Sequence, residues 1–204
     1  LVLLYADRSI DLLRPQSGAV THLPQLKREA TTDFAINDLS VNGDEACIAT
    51  TGGVVQLDLK RQLVKGFYQL GDCRSATVFD HHIFVALTAG QTLVAPLAAN
   101  LNDRATWQPH TQLTVSRLLP TSAALYLLVL RDAPTQHGVW MVKPAADTPA
   151  THTATHVGAY ALTGGHVDAG GTVICESDAA LYRYQGVDGT AVAIQKGAGG
   201  YAFE

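Results

Sequence analysis

A four-strand unit recurs about every forty residues along this 204-residue chain, and that recurrence decides what the chain can fold into. The clearest copy occupies residues 36–71. It divides into "INDLSVNGD", "EACIATTGG", "VVQLDLKRQ" and "LVKGFYQLG", each a short strand candidate bounded by Gly, Asn or Asp. Val55, Leu57 and Leu59 alternate with Gln56, Asp58 and Lys60, which is the period of a strand. The next copies start at "CRSATVFD", "VSRLLPTS" and "GHVDAGG", and the chain opens on a unit without its first strand. Aligned on the third strand, the units meet at Ile10, Val54, Leu93, Val139 and Leu181, at intervals of 44, 39, 46 and 42 residues. A period of roughly 40–45 residues with four strands per unit is the propeller signature. No unit carries a 3.6-residue apolar stripe, so helical repeats are excluded.

The expected fold is all-β: a propeller of four-stranded antiparallel blades with less than about 5% helix, far below the usual third. A partial blade covers 1–26, and blades follow at about 36–71, 73–113, 115–164 and 165–196, with 199–204 starting a further strand. A lone blade cannot bury both of its faces, so neighbouring blades must cover them. Covered strands then become apolar runs, such as "IFVAL" (83–87) and "ALYLLVL" (124–130), and exposed outer strands stay polar, such as "THTATHVG" (151–158). The Gly52-Gly53 pair supplies the unusual backbone needed between second and third strands.

Composition removes several function classes. With 47% hydrophobic and 16% charged residues, the chain is no disordered segment. The net charge is −4, and the densest basic cluster, Lys60-Arg61 with Lys65, is too small for a nucleic-acid footprint. No stretch reaches the ~20 apolar residues of a membrane helix, and the first residues read as strand rather than signal peptide. The chain has the look of a piece of something longer.

No constellation points to catalysis. Cys47, Cys73 and Cys175 match no zinc spacing, and Cys47 and Cys175 lie in apolar runs as small buried hydrophobes. His152 and His156 have zinc-like spacing, but in an extended Thr-rich segment with too few ligands. His81 and His82 are adjacent in what reads as a strand opening, cannot serve one site, and read as solvated turn residues. Asp7, Asp44, Asp58, Asp132, Asp178 and Asp188 recur near turns, where Asp is favoured for its own hydrogen bonding. The glycines at 197–200 lack the Lys and helix of a phosphate loop. No catalytic, cofactor or metal residue is therefore expected. Trp107 and Trp140 either pack between blades or anchor a partner, and Trp107, after the insertion "APLAANLNDRATW", is the better candidate partner contact.

The segment "IND…ACIATTGGVVQLD" resembles the propeller repeat of two-component regulators, an I-x-D start followed by a G-T-x-x-G-L-type hairpin. Ile48, Ala49, Thr50, Gly53, Val54, Leu57 and Asp58 fall on the pattern, and Cys47 stands where an aromatic is usual. "SIDLL", "DLSVNGDEACIATTGGVVQLDLKRQLVKGFYQLG" and "LVAPLAANLNDRATWQ" together resemble the N-terminal propeller of the PorZ family of type IX secretion proteins, over residues 1 to about 112. This resemblance implies a seven-bladed propeller, of which the chain would be an incomplete portion of about four to five blades. It also implies a non-catalytic interaction module of a cell-surface or outer-membrane attachment protein of Bacteroidota. The partners it implies are proteins of the secretion complex, with lipopolysaccharide contacted through other parts of the full-length protein. Self-association of the fragment is expected where blade faces stay uncovered. The alternative function is the periplasmic sensor propeller of a hybrid two-component regulator.

Overall fold

The computed structural model describes residues 1–5, 9–14, 17–23, 34–130, 137–144, 154–158, 162–168, 171–177 and 180–184, with the backbone alone of 191–195. Five antiparallel sheets follow one another along the chain, each a simple meander. The first holds β1 (Val2–Leu4), β2 (Ile10–Arg14) and β3 (Ala19–Leu23). The second holds β4 (Ile36–Asn42), β5 (Glu45–Thr50), β6 (Gly53–Asp58) and β7 (Leu63–Tyr68). The third holds β8 (Cys73–Phe79), β9 (His82–Leu87), β10 (Thr92–Pro96) and β11 (Gln108–Thr111). The fourth holds β12 (Arg117–Pro120), β13 (Leu125–Val129), β14 (Gly138–Val142) and β15 (Ala154–Gly158). The fifth holds β16 (Leu162–Val167), β17 (Val173–Ser177), β18 (Ala180–Tyr184) and β19 (Ala191–Gln195). Among the described residues the only helical turn is a 3₁₀ turn at Arg104–Thr106. Ile10, Val54, Leu93, Val139 and Leu181 lie in β2, β6, β10, β14 and β18, the third strand of each unit when the first sheet is counted without an innermost strand.

Burial explains the strand types. The fully apolar runs are second strands: every residue of β9 and β13 is buried, because each is flanked within its sheet and covered on both faces. Fourth strands β3, β7, β11 and β15 are mostly exposed or half-buried, as edge strands are. The first strands form a third class. They lie innermost, and β12 touches β4, β8 and β16.

Two glycines permit the third and fourth strands to close together. A Cβ on Gly53 (φ 150°) would lie 2.0 Å from the Tyr68 carbonyl oxygen, and one on Gly138 (φ 129°) would lie 2.0 Å from that of Gly158. The β8–β9 hairpin uses other chemistry. Asp80 and His81 form a two-residue loop with φ of 46° and 60°, the left-handed pair such a turn requires. His81 is exposed there, whereas His82 is buried as the first residue of β9, its Nδ1 2.7 Å from the Asp80 carbonyl. Only one of the two histidines is thus a solvated turn residue, because the loop is two residues long and the ladder resumes at His82.

Four apolar clusters fill the spaces between consecutive sheets. Ile10, Leu12 and Leu23 meet Phe34, Ile48, Val55 and Leu57 between the first and second. Ala49, Val54 and Tyr68 meet Ile83, Val85 and Trp107 between the second and third. Phe84 meets Leu125 and Leu127 between the third and fourth, and Tyr126 meets Cys175 and Tyr184 between the fourth and fifth. Among the described residues no cluster joins the first sheet to the fifth, so the sheets form an open, incomplete propeller.

Candidate functional site

The first strands repeat one irregularity. β4, β8 and β16 each carry a bulge near their start, at Asn37, Arg74 and Thr163. A bulge inserts one residue and re-aims the side chains beside it. Asp38 and Ser75 follow the bulges of β4 and β8, and Arg117 opens β12. These three side chains converge on the propeller axis.

There they lace the sheets together. Ser75 Oγ donates to Asp38 Oδ2 at 2.6 Å and accepts the Leu118 N–H at 3.0 Å. Arg117 donates from Nη2 to Asp38 Oδ1 at 3.2 Å and from Nη1 to the Gly165 carbonyl at 3.1 Å. Ser40 and Thr77 pair at 2.8 Å, and Asn42 donates to the Val78 carbonyl at 2.9 Å. Asn37 Nδ2 reaches Asp72 Oδ1 at 3.0 Å and the Cys73 carbonyl at 2.7 Å. The network therefore ties the second, third, fourth and fifth sheets. An axial cavity of about 270 Å³ lies alongside it, lined by β4, β12 and β16 with His166 and Asp168 at its edge.

The chemistry of this network is structural. Ser75 is fully buried, its proton committed to Asp38 and its lone pair to a main-chain N–H. A nucleophilic serine needs a base in reach and an open approach. Charge-assisted bonds of this kind hold geometry instead.

A second site lies at the seam between the second and third sheets. Trp107, the sequence candidate for partner contact, is 5% exposed, and its Nε1 donates to the Leu101 carbonyl at 2.9 Å. Its ring tilts against Tyr68 at 6.1 Å. It floors a cleft of about 230 Å³ together with Leu70 and Leu101, with the half-buried Phe67 as a wall and Gln69, Asn102 and Arg104 exposed at the mouth. The loop 97–107 is rigidly built: Asn100 Oδ1 accepts the Asn102 N–H, Thr106 donates to the Asn100 carbonyl, and Asp103 Oδ1 accepts the Ala105 N–H.

The remaining sequence candidates are dispersed. Cys47, Cys73 and Cys175 are free and buried. Burial raises Cys73 and Cys175 from 9.0 to about 12, and burial with the nearby Glu45 carboxylate pushes Cys47 up as well. His156 lies exposed on β15 with its ring 4.7 Å from that of Trp140, and His152 lies outside the described residues. Among the described residues no three His, Cys, Asp or Glu side chains gather as metal ligands. Asp44 sits in the β4–β5 turn, and Asp58 Oδ1 accepts the Arg61 N–H at 2.7 Å. Asp7, Asp132, Asp178, Asp188 and the glycines at 197–200 lie outside the described residues. On the outward face of the first sheet, Asp11 accepts from Tyr5 at 2.8 Å and pairs with His22 at 2.7 Å. The His22 bond, followed by the Tyr5 bond, lowers the Asp11 pKa.

Sequence reasoning missed the axial network. Asp38 was visible as the last residue of the I-x-D start. Its partner Arg117 lies 79 residues away, and no local pattern joins them.

Comparison with known proteins fits this architecture. No curated protein matches the sequence. The structure of PorZ, described as an essential bacterial surface component of the type IX secretion system of Porphyromonas gingivalis, superposes with a TM-score of 0.73 at 16% identity. That match covers 95% of this chain and 25% of PorZ, so the chain spans about a quarter of that protein's length. The extracellular domain of the BT4673 one-component system from B. thetaiotaomicron gives a TM-score of 0.58 at 10% identity, over 97% of this chain and 31% of that one. The computationally designed protein Ika8 gives 0.57 at 10% identity, over 94% and 57%. These likenesses establish the propeller fold. A family model described as the type IX secretion PorZ N-terminal β-propeller domain matches residues 1–108, more than half of the sequence, and the chain belongs to that family.

Proposed function

We propose that this chain is a non-catalytic interaction module within a type IX secretion and cell-surface attachment protein. The observation that carries the reading is the family match over residues 1–108. The axial network supports it, because its polar side chains are spent on one another and on holding sheets together. The module is one propeller segment, with a partial blade at 1–26, blades at about 36–71, 73–113, 115–164 and 165–196, and a further strand starting at 199–204, outside the described residues. Its partners are protein components of the secretion complex at the outer membrane or cell surface. Lipopolysaccharide is met through other parts of the full-length protein. No cofactor takes part.

The second reading is the periplasmic sensor propeller of a hybrid two-component regulator. The observations favouring it are the I-x-D repeat at Ile36–Asp38 and the likeness to the extracellular domain of a one-component system. The two readings place the protein in different membranes. The test is affinity purification of the tagged full-length protein from fractionated cells. The secretion reading expects outer-membrane recovery together with other protein components of the secretion complex. Inner-membrane recovery together with a histidine kinase overturns it in favour of the sensor.

A further inference from the structure

We propose that Asn42 is a site of spontaneous modification, where deamidation to aspartate or isoaspartate cuts a tie between the second and third sheets. The first ground is the residue that follows. The chain holds four asparagines; Asn37, Asn100 and Asn102 precede Asp, Leu and Asp, whereas Asn42 precedes Gly43. Deamidation begins with attack on the side-chain amide by the next main-chain nitrogen, and only glycine leaves that nitrogen without a flanking side chain. The second ground is the turn. Asn42 pairs with Glu45, so Gly43 and Asp44 form a two-residue loop between β4 and β5. Gly43 takes its first position at φ 60°, where a type II′ turn calls for glycine. It is exposed, and a Cβ built on it would have nothing within 4 Å. Among the described residues its N–H carries no hydrogen bond.

The third ground is what the side chain holds. Asn42 is half-buried, and its Nδ2 donates across the seam to the Val78 carbonyl of β8 at 2.9 Å, close to the Ser40–Thr77 pair. An ionised carboxylate has no proton to give, so aspartate at this position sets oxygen against oxygen and leaves the Val78 carbonyl without its donor. Isoaspartate also lengthens the main chain beside the tightest part of the hairpin. The step balances with water as its only co-reactant. The Asn42 side chain leaves Val78 and swings over its own main chain. The Gly43 nitrogen gives its proton to solvent base and bonds to Asn42 Cγ, the Cγ–Nδ2 bond breaks, and ammonia departs with a proton from solvent. Water then opens the cyclic imide at either carbonyl, giving aspartate or isoaspartate. Because the Val78 bond must open first, the rate reports how often this seam loosens.

This inference is independent of the secretion reading, because it concerns the chain's own chemistry. The purified chain is held in mildly alkaline buffer and digested at intervals, and mass spectrometry with isoaspartyl methyltransferase labelling follows each asparagine. A synthetic peptide of residues 38–47 runs beside it. Asn42 is expected to convert at least about tenfold faster than Asn37, Asn100 and Asn102, and more slowly than in the peptide. Asn42→Gln, which cannot close the five-membered imide, should remove the product at this position. Conversion of Asn42 no faster than that of the other three asparagines overturns the proposal, as does conversion only when urea unfolds the chain. The consequence is tested by Asn42→Asp, which supplies the aspartate product directly. It should lower the denaturation midpoint, and a midpoint equal to that of the parent overturns the assigned loss of the tie.

Discussion

Gly53 and His81 stand at comparable turns and answer the backbone in opposite ways. Gly53 is required by contact: an added methyl would strike the Tyr68 carbonyl at 2.0 Å in a backbone that L-residues rarely adopt. Gly53→Ala is expected to destabilise the fold by about 3 kcal/mol or more, since the obstacle is main chain and cannot swing away. Urea denaturation would show this as a lower midpoint at unchanged slope. His81 sits at φ 60° with an exposed side chain, and its carbonyl accepts the Leu97 N–H. Glycine keeps that carbonyl and removes a left-handed strain of roughly 1–2 kcal/mol, partly offset by the greater freedom of the unfolded chain. His81→Gly should therefore stabilise by about 0.5–1 kcal/mol net, and an unchanged or lower Tm would count against strain at this turn. The buried thiols set a pH limit. Cys73 and Cys175 rise from 9.0 to about 12 and Tyr68 from 10.0 to about 12, chiefly through burial. Below pH 9 both folded and unfolded states hold these protons. Between about 9 and 12 the unfolded chain releases them first, so stability falls as pH rises through that window. The denaturation midpoint should hold from pH 7 to 8.5 and decline above 9, with no thiol reacting in the native state at pH 8.

At the scale of the strand, the axial network separates buried from exposed bonding. Ser75 is fully buried and serves two partners, so Ser75→Ala strands the Leu118 N–H and one oxygen of Asp38. An unsatisfied buried pair of this kind costs about 2–3 kcal/mol. The Arg117 side chain is 47% exposed, and its ion pair with Asp38 is worth only about 0.2–1 kcal/mol. Ser75→Ala is thus expected to lower the denaturation midpoint several times more than Arg117→Ala, and equal losses would show that burial does not govern the network. The same contrast explains what could be read from sequence. Second strands were legible because two-sided burial writes an unbroken apolar run, as in "IFVAL" and "ALYLLVL". Third strands aligned because glycine punctuation at 52–53 and period-two alternation are local. The axial residues were not legible, because Asp38, Ser75 and Arg117 owe their meeting to bulges and to the curvature of successive sheets, neither of which leaves a local pattern. The cleft was half legible. Trp107 stood out as a large residue after an insertion, but its burial depends on how the loop 97–107 folds over the seam.

At the scale of the molecule, among the described residues each internal sheet is covered on both faces and the first is covered on one. Ile10, Leu12 and Leu23 of the first sheet pack towards the second, while the opposite face holds Asp11, Leu13, Val20 and His22. Val20 is 58% exposed there and Tyr5 is 43% exposed, two of the few large apolar or aromatic side chains left in solvent among the described residues. Among the described residues β1 is also a sheet edge, since its sheet has three strands where the others have four. A mixed face with exposed Val20 and Tyr5 beside a strand edge favours association. In isolation the 204-residue chain has a second copy of itself as the available cover. We therefore expect its weight-average mass in sedimentation equilibrium to rise with concentration in the micromolar range. Val20→Lys should suppress that rise, because it places a charge in the exposed face without touching the residues that pack on the second sheet. The polar bridge from Tyr5 and His22 to Asp11 offers a further check. Lowering the pH through the Asp11 titration removes the carboxylate that organises this face, so association through it should weaken in acid while the sheet core stays intact. A chain that remains monomeric at all concentrations, with Val20→Lys indistinguishable from the parent, would show that this face needs no cover. The open end of the propeller would then be stable in water as it stands.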